Sequence, residues 1–232
     1  MNLLHHYLYS RYEQDVAPGH YRDGMPTQVT EDAGIPALRV VPVQQVPFAD
    51  VEAVFGTKGD AAHCWCQWYK LPRSEWTMND AELAQLLERQ VRDAEHGPGL
   101  IAYDGETPVG WCAVEPRSAL PGLPRKRLVA EGSPDLDFDD ASIWAVTCFV
   151  VPRAHRKRGV GGALAEAAVA FAREHGARVV EAYAIDPSAR SKVPAADLFP
   201  GTVGMFERAG FREVARPTPN RAVMQARFDA EG

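Results

Sequence analysis

The sequence predicts a mixed α/β domain in which a central sheet is flanked by helices. Three consecutive segments of the 232-residue chain lead to this prediction. Residues 143–151 are apolar nearly throughout and rich in β-branched and aromatic side chains, which is typical of a strand buried on both faces. A basic turn with three close glycines follows at residues 152–162. Residues 163–175 then place apolar side chains at the spacing of a helix face packed on a sheet, and Gly176 ends the helix.

The chain before this central strand supplies the first half of the fold. Strands are predicted at residues 38–43, 100–103 and 108–114, the last two as a hairpin around Asp104–Gly105. Helices are predicted at residues 48–55, where Pro47 opens the helix, and 80–96, where acidic residues stand in the first turn. Residues 116–140 are rich in proline, glycine and charge, so we expect a long loop there.

The chain after the central helix supplies the second half. Strands are predicted at residues 179–185, 211–215 and 222–228, and a short helix at 202–209. On the first of these strands Glu181 and Tyr183 share one face, because side chains alternate between the faces of a sheet. Residues 186–201 are expected to form a loop that covers the site.

Residues 1–36 differ in composition from the domain predicted at residues 37–232. They are polar and interrupted by proline and glycine, yet they carry four tyrosines, too many for a plain disordered tail. We expect an arm that packs either on the domain or on a second subunit, and the second arrangement would make the protein a homodimer.

The turn at residues 152–162 has the features of a phosphate site. The first turn of a helix leaves backbone N–H groups unpaired and carries a partial positive charge. Glycines let phosphate oxygens approach the backbone, and Arg156, Lys157 and Arg158 add full charges. Two other phosphate motifs, G-x-x-x-x-G-K-[ST] and G-x-G-x-x-G, do not fit this stretch. The alternative is a solvated basic loop before a structural helix.

The six residues Arg156–Gly161, R-K-R-G-V-G, resemble the Arg/Gln-x-x-Gly-x-Gly signature of the GCN5-related N-acetyltransferase (GNAT) family. Residues 205–211, M-F-E-R-A-G-F, are similar to the family's short C-terminal helix, glycine stop and Gly-Phe strand entry. The resemblance covers about residues 37–228. It implies a GNAT-type mixed, mostly antiparallel sheet in the order β-α-α-β-β-β-α-β-α-β-β, with acetyl-CoA as acyl donor and no metal.

The resemblance also implies which residues hold the donor. Backbone groups at the end of the central strand would bind the pantetheine arm and polarise the thioester carbonyl, the basic turn would hold the pyrophosphate, and Phe206 would pack beside the thioester. The residues are Phe149, Val150, Val151, Arg156, Lys157, Arg158, Gly159, Val160, Gly161, Gly162 and Phe206.

Two positions depart from the family pattern. Phe206 stands where many members place a tyrosine that protonates the departing thiolate, and Ala145 stands where histone-type members place a glutamate base. Either a thiol leaves without an acid, or other groups serve. Tyr183 and Glu181 are the first candidates, followed by Asp186 and His63. Cys148 would permit an acyl-cysteine mechanism, but a small buried thiol is the commoner role for such a residue.

An aromatic segment is the candidate acceptor wall. Trp65, Trp68 and Tyr69 fall within five residues, in the region that lines the acceptor side in the resembled family. Aromatic walls favour an apolar or cationic acceptor, whereas the alternative is a buried aromatic cluster. The neighbouring His63, Cys64 and Cys66 offer only a C-x-C spacing without a second ligand pair, which is poor support for zinc.

Charge and composition exclude other classes. The net charge is −6, and without the four cations of the basic turn the remainder carries −10. An acidic surface argues against nucleic acid as the main partner. Four cysteines are too few for a disulfide scaffold, and neither a membrane-spanning run nor a signal peptide is evident, so we expect a cytoplasmic protein with no membrane partner. The function predicted is N-acetylation of a small amine in a ternary complex. Alternatives are a non-catalytic acyl-CoA-binding module and, less favoured, a nucleotide or nucleic-acid binder.

Overall fold

A computed structural model describes residues 27–28, 38–124, 126–134, 136–189 and 193–228. The strands are β1 (Thr27–Gln28), β2 (Arg39–Pro42), β3 (Gly99–Asp104), β4 (Thr107–Pro116), β5 (Ile143–Val150), β6 (Val179–Ile185), β7 (Arg212–Thr218) and β8 (Arg221–Arg227). They form one sheet in the order β1-β2-β3-β4-β5-β6-β8-β7. Only the β5–β6 pair is parallel among the described strands; the other pairs are antiparallel.

Helices lie between these strands. They are α1 (Phe48–Phe55), α2 (Asp60–Cys64), α3 (Asp80–Asp93), α4 (Arg127–Gly132), α5 (Val160–Glu174) and α6 (Val203–Arg208). A capping box begins α3, in which the Asn79 side chain accepts from the Glu82 N–H and the Glu82 carboxylate accepts from the Asn79 N–H. No helix in the described part of the chain is both long and apolar enough to cross a membrane.

The mixed, mostly antiparallel sheet flanked by helices confirms the predicted fold class. Two short helices were not predicted. The five-residue α2 lies in the aromatic segment, and the six-residue α4 lies inside the expected loop at residues 116–140. Helices of one or two turns cannot establish a period of 3.6 residues, so their sequences resemble loops. Most of the predicted N-terminal arm lies outside the described residues; residues 27–28 pair with β2 at one edge of the sheet.

The sheet separates two groups of helices. One face packs against α5 and α6, and its cluster contains Trp144, Val146 and Phe149 from β5. The other face packs against α1, α2 and α3 and, further along, against α4 and the chain before it. Gly110 on β4 permits the approach of α5, because a Cβ there would lie 2.6 Å from Val160 Cγ1 and 3.0 Å from Leu164 Cδ1. The start of α5 is thereby set against the middle of the sheet.

The parallel pair β5–β6 is short. Its register joins residues 143–146 to residues 179–182, whereas β5 continues to Val150. The chain before α6 contacts both strand ends: the Phe149 N–H donates to the Phe199 carbonyl at 2.7 Å, and the Ile185 N–H donates to the Gly201 carbonyl at 2.9 Å. Residues 199–201 therefore bridge the ends of the only parallel strand pair among the described strands.

Candidate functional site

The basic turn, residues 152–162, leads directly from β5 to α5. Gly159 is the N-cap of α5 with φ of 81°, in the left-handed region that glycine adopts without strain. No side chain caps the helix. The first N–H groups of α5 are thus left for an external acceptor, as the phosphate hypothesis requires.

The cations of this turn have different surroundings. Arg156 donates from Nε to the Val151 carbonyl at 2.9 Å, which ties the turn to the strand end. Arg158 pairs with Asp104 at the β3–β4 hairpin, 2.7 Å between Nη2 and the carboxylate. Lys157 has a positive φ of 61°, unusual for a residue with a Cβ. Arg158 would therefore approach a phosphate only while sharing its guanidinium with Asp104.

The remaining residues predicted to bind the acyl donor differ in how closely other side chains surround them. At Gly162 a Cβ would meet nothing within 4 Å, whereas at Gly161 it would lie 3.1 Å from the Met205 sulfur. Phe206 is fully buried, and its ring meets that of Phe149 edge to face with centres 5.8 Å apart. Phe206 packs against the strand that would carry the thioester, and a phenyl ring has no proton to donate.

A cavity of about 330 Å³ opens on the opposite face of the sheet, over β6 and β8. We call it the aromatic cavity. Its lining residues are Trp68, Tyr69, Lys126, Arg127, Leu128, Val129, Tyr183, Pro217, Thr218 and Arg221. Its volume is at the lower end of the range for small-molecule sites.

The three aromatic residues predicted as an acceptor wall fall in two places. Trp68 and Tyr69 line the aromatic cavity, and Trp68 is 59% exposed. Trp65 is only 6% exposed and stacks on Phe55, with ring centres 4.9 Å apart and planes 4° from parallel. Trp65 is a core residue, absent from the cavity lining, and the core alternative describes it.

Tyr183 and Glu181 belong to a buried polar cluster beneath the cavity. Tyr183 donates its hydroxyl proton to Glu181 Oε1 at 2.6 Å, and Arg117 approaches the same oxygen at 3.3 Å. Gln225 donates to Glu181 Oε2 at 2.8 Å. The Arg117 and Glu181 side chains are 2% and 0% exposed, so this is a buried ion pair whose carboxylate is satisfied by three donors.

Because of these surroundings, the two predicted catalytic residues, Tyr183 and Glu181, can do different chemistry. Burial and the neighbouring Glu181 charge raise the pKa of Tyr183 well above its ordinary value, so the phenol stays protonated at neutral pH. Tyr183 lines the cavity, and a phenol oxygen that donates its proton can also accept a hydrogen bond. Glu181 is covered by its donors and holds the Tyr183 hydroxyl in place.

A second buried carboxylate, not predicted from the sequence, lies beside Ala145. Glu115 on β4 and Glu181 on β6 are the two cross-strand neighbours of Ala145, and paired residues point to the same face. Glu115 is 7% exposed and pairs with Lys70 at 2.9 Å. Burial raises the pKa of Glu115, and the Lys70 charge partly offsets the rise. The only cue in the sequence is one acid at the end of an apolar strand.

Tyr69 connects the cavity to β5, because it packs on the buried cluster that contains Ala145 of β5 and Tyr183 of β6. Burial raises the pKa of Tyr69, the Arg221 charge opposes the rise, and Cys148 adds to it.

The other candidates have surface partners. His63 contacts the Asp80 carboxylate at 2.9 Å, and Asp186 pairs with Arg216 at 2.8 Å. Cys148 faces Cys66, whose buried sulfur also accepts from Trp111 Nε1 at 3.0 Å. No group of three or more His, Cys, Asp or Glu side chains suited to a metal ion occurs among the described residues.

A search of solved structures finds chains that are similar to this one at low identity. A GCN5-related N-acetyltransferase from Kribbella flavida is 19% identical, with 82% of this chain and 98% of that chain covered and a TM-score of 0.47. For yncA from Salmonella typhimurium, a putative acetyltransferase solved with acetyl-CoA, the identity is 16%, the covered shares 83% and 94%, and the TM-score 0.47. An uncharacterized protein, bh2621 from Bacillus halodurans, is 11% identical, with 87% and 90% covered and a TM-score of 0.49. No curated protein matches the chain.

A family model carries the assignment. The model of the acetyltransferase (GNAT) family matches residues 65–211, which is more than half of the chain. The match contains the basic turn, the start of α5, and both Tyr69 and Tyr183 of the aromatic cavity. The chain therefore belongs to the GNAT acetyltransferase family.

Proposed function

We propose that this protein transfers the acetyl group of acetyl-CoA to the amine of a small molecule, by direct attack within a ternary complex. The observation that carries the proposal is the position of the aromatic cavity. Its Tyr69 packs on the buried cluster that contains Ala145 of β5, while the uncapped start of α5 follows the end of the same strand. Two substrates held along one strand would be oriented toward each other, and such orientation supplies much of the acceleration of a two-substrate reaction.

The donor would be held mainly by backbone. The N–H groups from Gly159 to Gly162, with Arg156, Lys157 and Arg158, suit a pyrophosphate, because an uncapped helix start and three cations attract an anion. Backbone groups at Val150 and Val151 suit the pantetheine arm. The Phe149 N–H would serve the thioester carbonyl only after leaving the Phe199 carbonyl. Acetyl-CoA supplies an activated acyl group. Because a thiolate is a tolerable leaving group, it can depart without an acid at position 206, where Phe206 has no proton to donate.

The acceptor amine would lie at the inner end of the cavity, near Tyr69 and Tyr183. Tyr183 is positioned by Glu181 and stays neutral, so its oxygen can accept a hydrogen bond from the incoming amine. Attack requires an amine without its extra proton, and a positioned base supports that loss.

We assign the role of base to Glu115. The two carboxylates beside Ala145 differ in availability: Glu181 has three donors, whereas Lys70 is the one ion-pair partner of Glu115 among the described residues. A raised pKa makes Glu115 a stronger proton acceptor than an ordinary glutamate. Ala145, which lies between the two carboxylates in the sheet, is buried in the same cluster as Tyr183 of the cavity.

The departures at Phe206 and Ala145 keep one alternative open, an acyl-CoA-binding module without catalysis. An acetyltransferase would consume acetyl-CoA in the presence of an amine, whereas a binding module would not. The purified protein is incubated with acetyl-CoA and a panel of amines, and free CoA thiol is measured with acetylated product. We expect amine-dependent thiol release, whereas donor binding without release by any amine would favour the module.

The four free cysteines agree with the cytoplasmic location that we propose, since structural disulfides are rare there.

A further inference from the structure

We propose that the acceptor carries an acidic group, a carboxylate or a phosphate, beside the amine that is acetylated. The inference rests on the proposed function and names its substrate class. It comes from the charges of the residues that line the aromatic cavity.

The cavity is lined by cations and by no anion. Three of its ten lining residues are Lys126, Arg127 and Arg221, and none is Asp or Glu. The whole chain has 31 acidic and 25 basic residues, so this lining is a local reversal of the overall charge. A cavity of one charge sign favours ligands of the opposite sign.

The aromatic faces are already occupied by a cation. Lys126 Nζ lies 5.7 Å from the ring centre of Trp68 and 5.8 Å from that of Tyr69. The quadrupole of these rings, which would attract a cationic ligand, is therefore used within the protein. The proposed acidic acceptor replaces the cationic one expected from the aromatic residues, because a second cation at these rings would be repelled by Lys126.

The three cations are not equally available. Arg127 is neutralised by Glu131, with 2.6 Å between Nε and the carboxylate. Within the described ranges, Lys126 and Arg221 make no ion pair with a carboxylate. Two positive charges in the lining of one cavity thus lack an internal counter-charge, and they can bind an acidic group of a ligand.

The position of Arg221 places such a group at a useful distance from the reacting centre. Arg221 lies two residues before Val223, the cross-strand partner of Tyr183, and therefore shares the face of Tyr183. Its charge acts on the Tyr69 phenol. A ligand whose acid contacts Arg221 and Lys126 would lie against Tyr69, and its amine would extend toward Tyr183.

The test compares matched acceptors. Thiol release from acetyl-CoA is measured with free amino acids, with the same amino acids as C-terminal amides, with phosphoethanolamine and with spermidine. We expect kcat/KM to be at least ~10-fold higher for the free acids or the phosphate than for the amides, as one charge-assisted contact provides. The acids and phosphoethanolamine distinguish the two sources of negative charge. Equal rates for acids and amides, or a preference for spermidine, would overturn the proposal.

Amino-acid substitutions test which residues cause the preference for acids over amides. Arg221→Gln and Lys126→Gln should each reduce the acid-to-amide ratio several-fold, while Arg212→Gln, an exposed arginine outside the cavity on the adjacent strand β7, should leave it unchanged. An unchanged ratio in both cavity variants would contradict the assignment to this cavity.

A binding measurement separates this proposal from the proposed function. If no amine releases thiol, the proposed function fails, and the same acids and amides are titrated against the fluorescence of the protein, because the exposed Trp68 lines the cavity. Saturable binding of acids that is weakened by Arg221→Gln would support the charge inference on its own. No difference between acids and amides would refute it.

Discussion

The basic turn follows β5 and the aromatic cavity lies over β6 and β8, and the two are built from different parts of the chain. The turn is one continuous segment whose main groups are backbone N–H donors and exposed cations. The cavity gathers side chains from before α3, from α4 and from β6 to β8, above a buried polar cluster. A contiguous backbone site tolerates sequence change, whereas a dispersed side-chain site can be specialised for each acceptor.

The difference extends to energetics. The turn has the Arg158–Asp104 pair, whose side chains are 43% and 29% exposed. The floor of the cavity, by which we mean the buried polar cluster around Glu181, has the Arg117–Glu181 pair, whose side chains are 2% and 0% exposed. Solvent-exposed pairs contribute little to stability, and breaking a buried pair leaves an uncompensated charge. We therefore expect the floor to couple activity to folding, and the turn to affect binding alone.

The largest effect is expected from Arg117→Met. It leaves Glu181 buried without its cation and removes the donor to the carbonyls of Leu136 and Asp137. The free energy of unfolding should fall by about 3–5 kcal/mol, measured by urea denaturation at neutral pH. The matched change Arg158→Met on the turn should cost less than about 1 kcal/mol. Similar losses in the two variants would show that the contrast between floor and turn is wrong.

The next largest effect is expected from Glu115→Gln. The amide keeps the shape but cannot accept the proton, so kcat should fall by ~10²-fold while the affinity for acetyl-CoA is retained. The wild-type pH profile supplies a second measurement. Because burial raises the pKa of Glu115, its loss of activity on acidification should begin at a higher pH than for an ordinary glutamate, and this limb should vanish in the variant. A variant with unchanged kcat and the same acid limb would exclude Glu115 as the base.

Donor binding itself is tested by Gly161→Val at the start of α5. A branched side chain there occupies the space expected for a phosphate and also approaches Met205, so the affinity for CoA should fall by ~10-fold. Gly161→Ala controls for the contact with Met205, and its effect on CoA affinity should be smaller. Unchanged CoA affinity in folded Gly161→Val protein would remove the pyrophosphate from this turn.

The smallest effect on turnover is expected from Phe206→Leu. The ring packs between Phe149 and Phe211 and has no proton to donate, so turnover should stay within a few-fold of wild type while the melting temperature falls. The measurement is kcat together with a thermal melt. A loss of three orders of magnitude in kcat, with CoA binding intact, would show a catalytic role for this position.

The elements around the proposed donor site were predictable because the information that specifies them is local. A strand, a glycine at positive φ and an uncapped helix start follow one another in the chain, and both β5 and α5 lie where hydrophobic periodicity placed them. The strand carrying Glu181 and Tyr183 was predicted with its observed bounds.

The acceptor half depends on contacts between distant segments. The importance of Glu115 follows from its register opposite Ala145 and its contact with Lys70, neither of which is visible along the chain. Trp65 and Trp68 look equivalent in sequence, yet Trp65 has a left-handed backbone and a ring stacked in the core. The cations of the cavity come from the expected loop and from the start of β8, so only the folded chain reveals them as a group.

The hydrogen bond from Phe149 to the Phe199 carbonyl has a kinetic consequence for donor entry. In the absence of donor, the protein itself occupies the amide that a thioester carbonyl would use. The measured donor affinity is then the affinity of the opened form multiplied by the fraction of molecules that are open. If opening precedes binding, the observed association rate must level off at the opening rate as the donor concentration rises. Stopped-flow mixing with CoA would display this plateau, and exchange of the Phe149 amide hydrogen would report the same opening in the free protein.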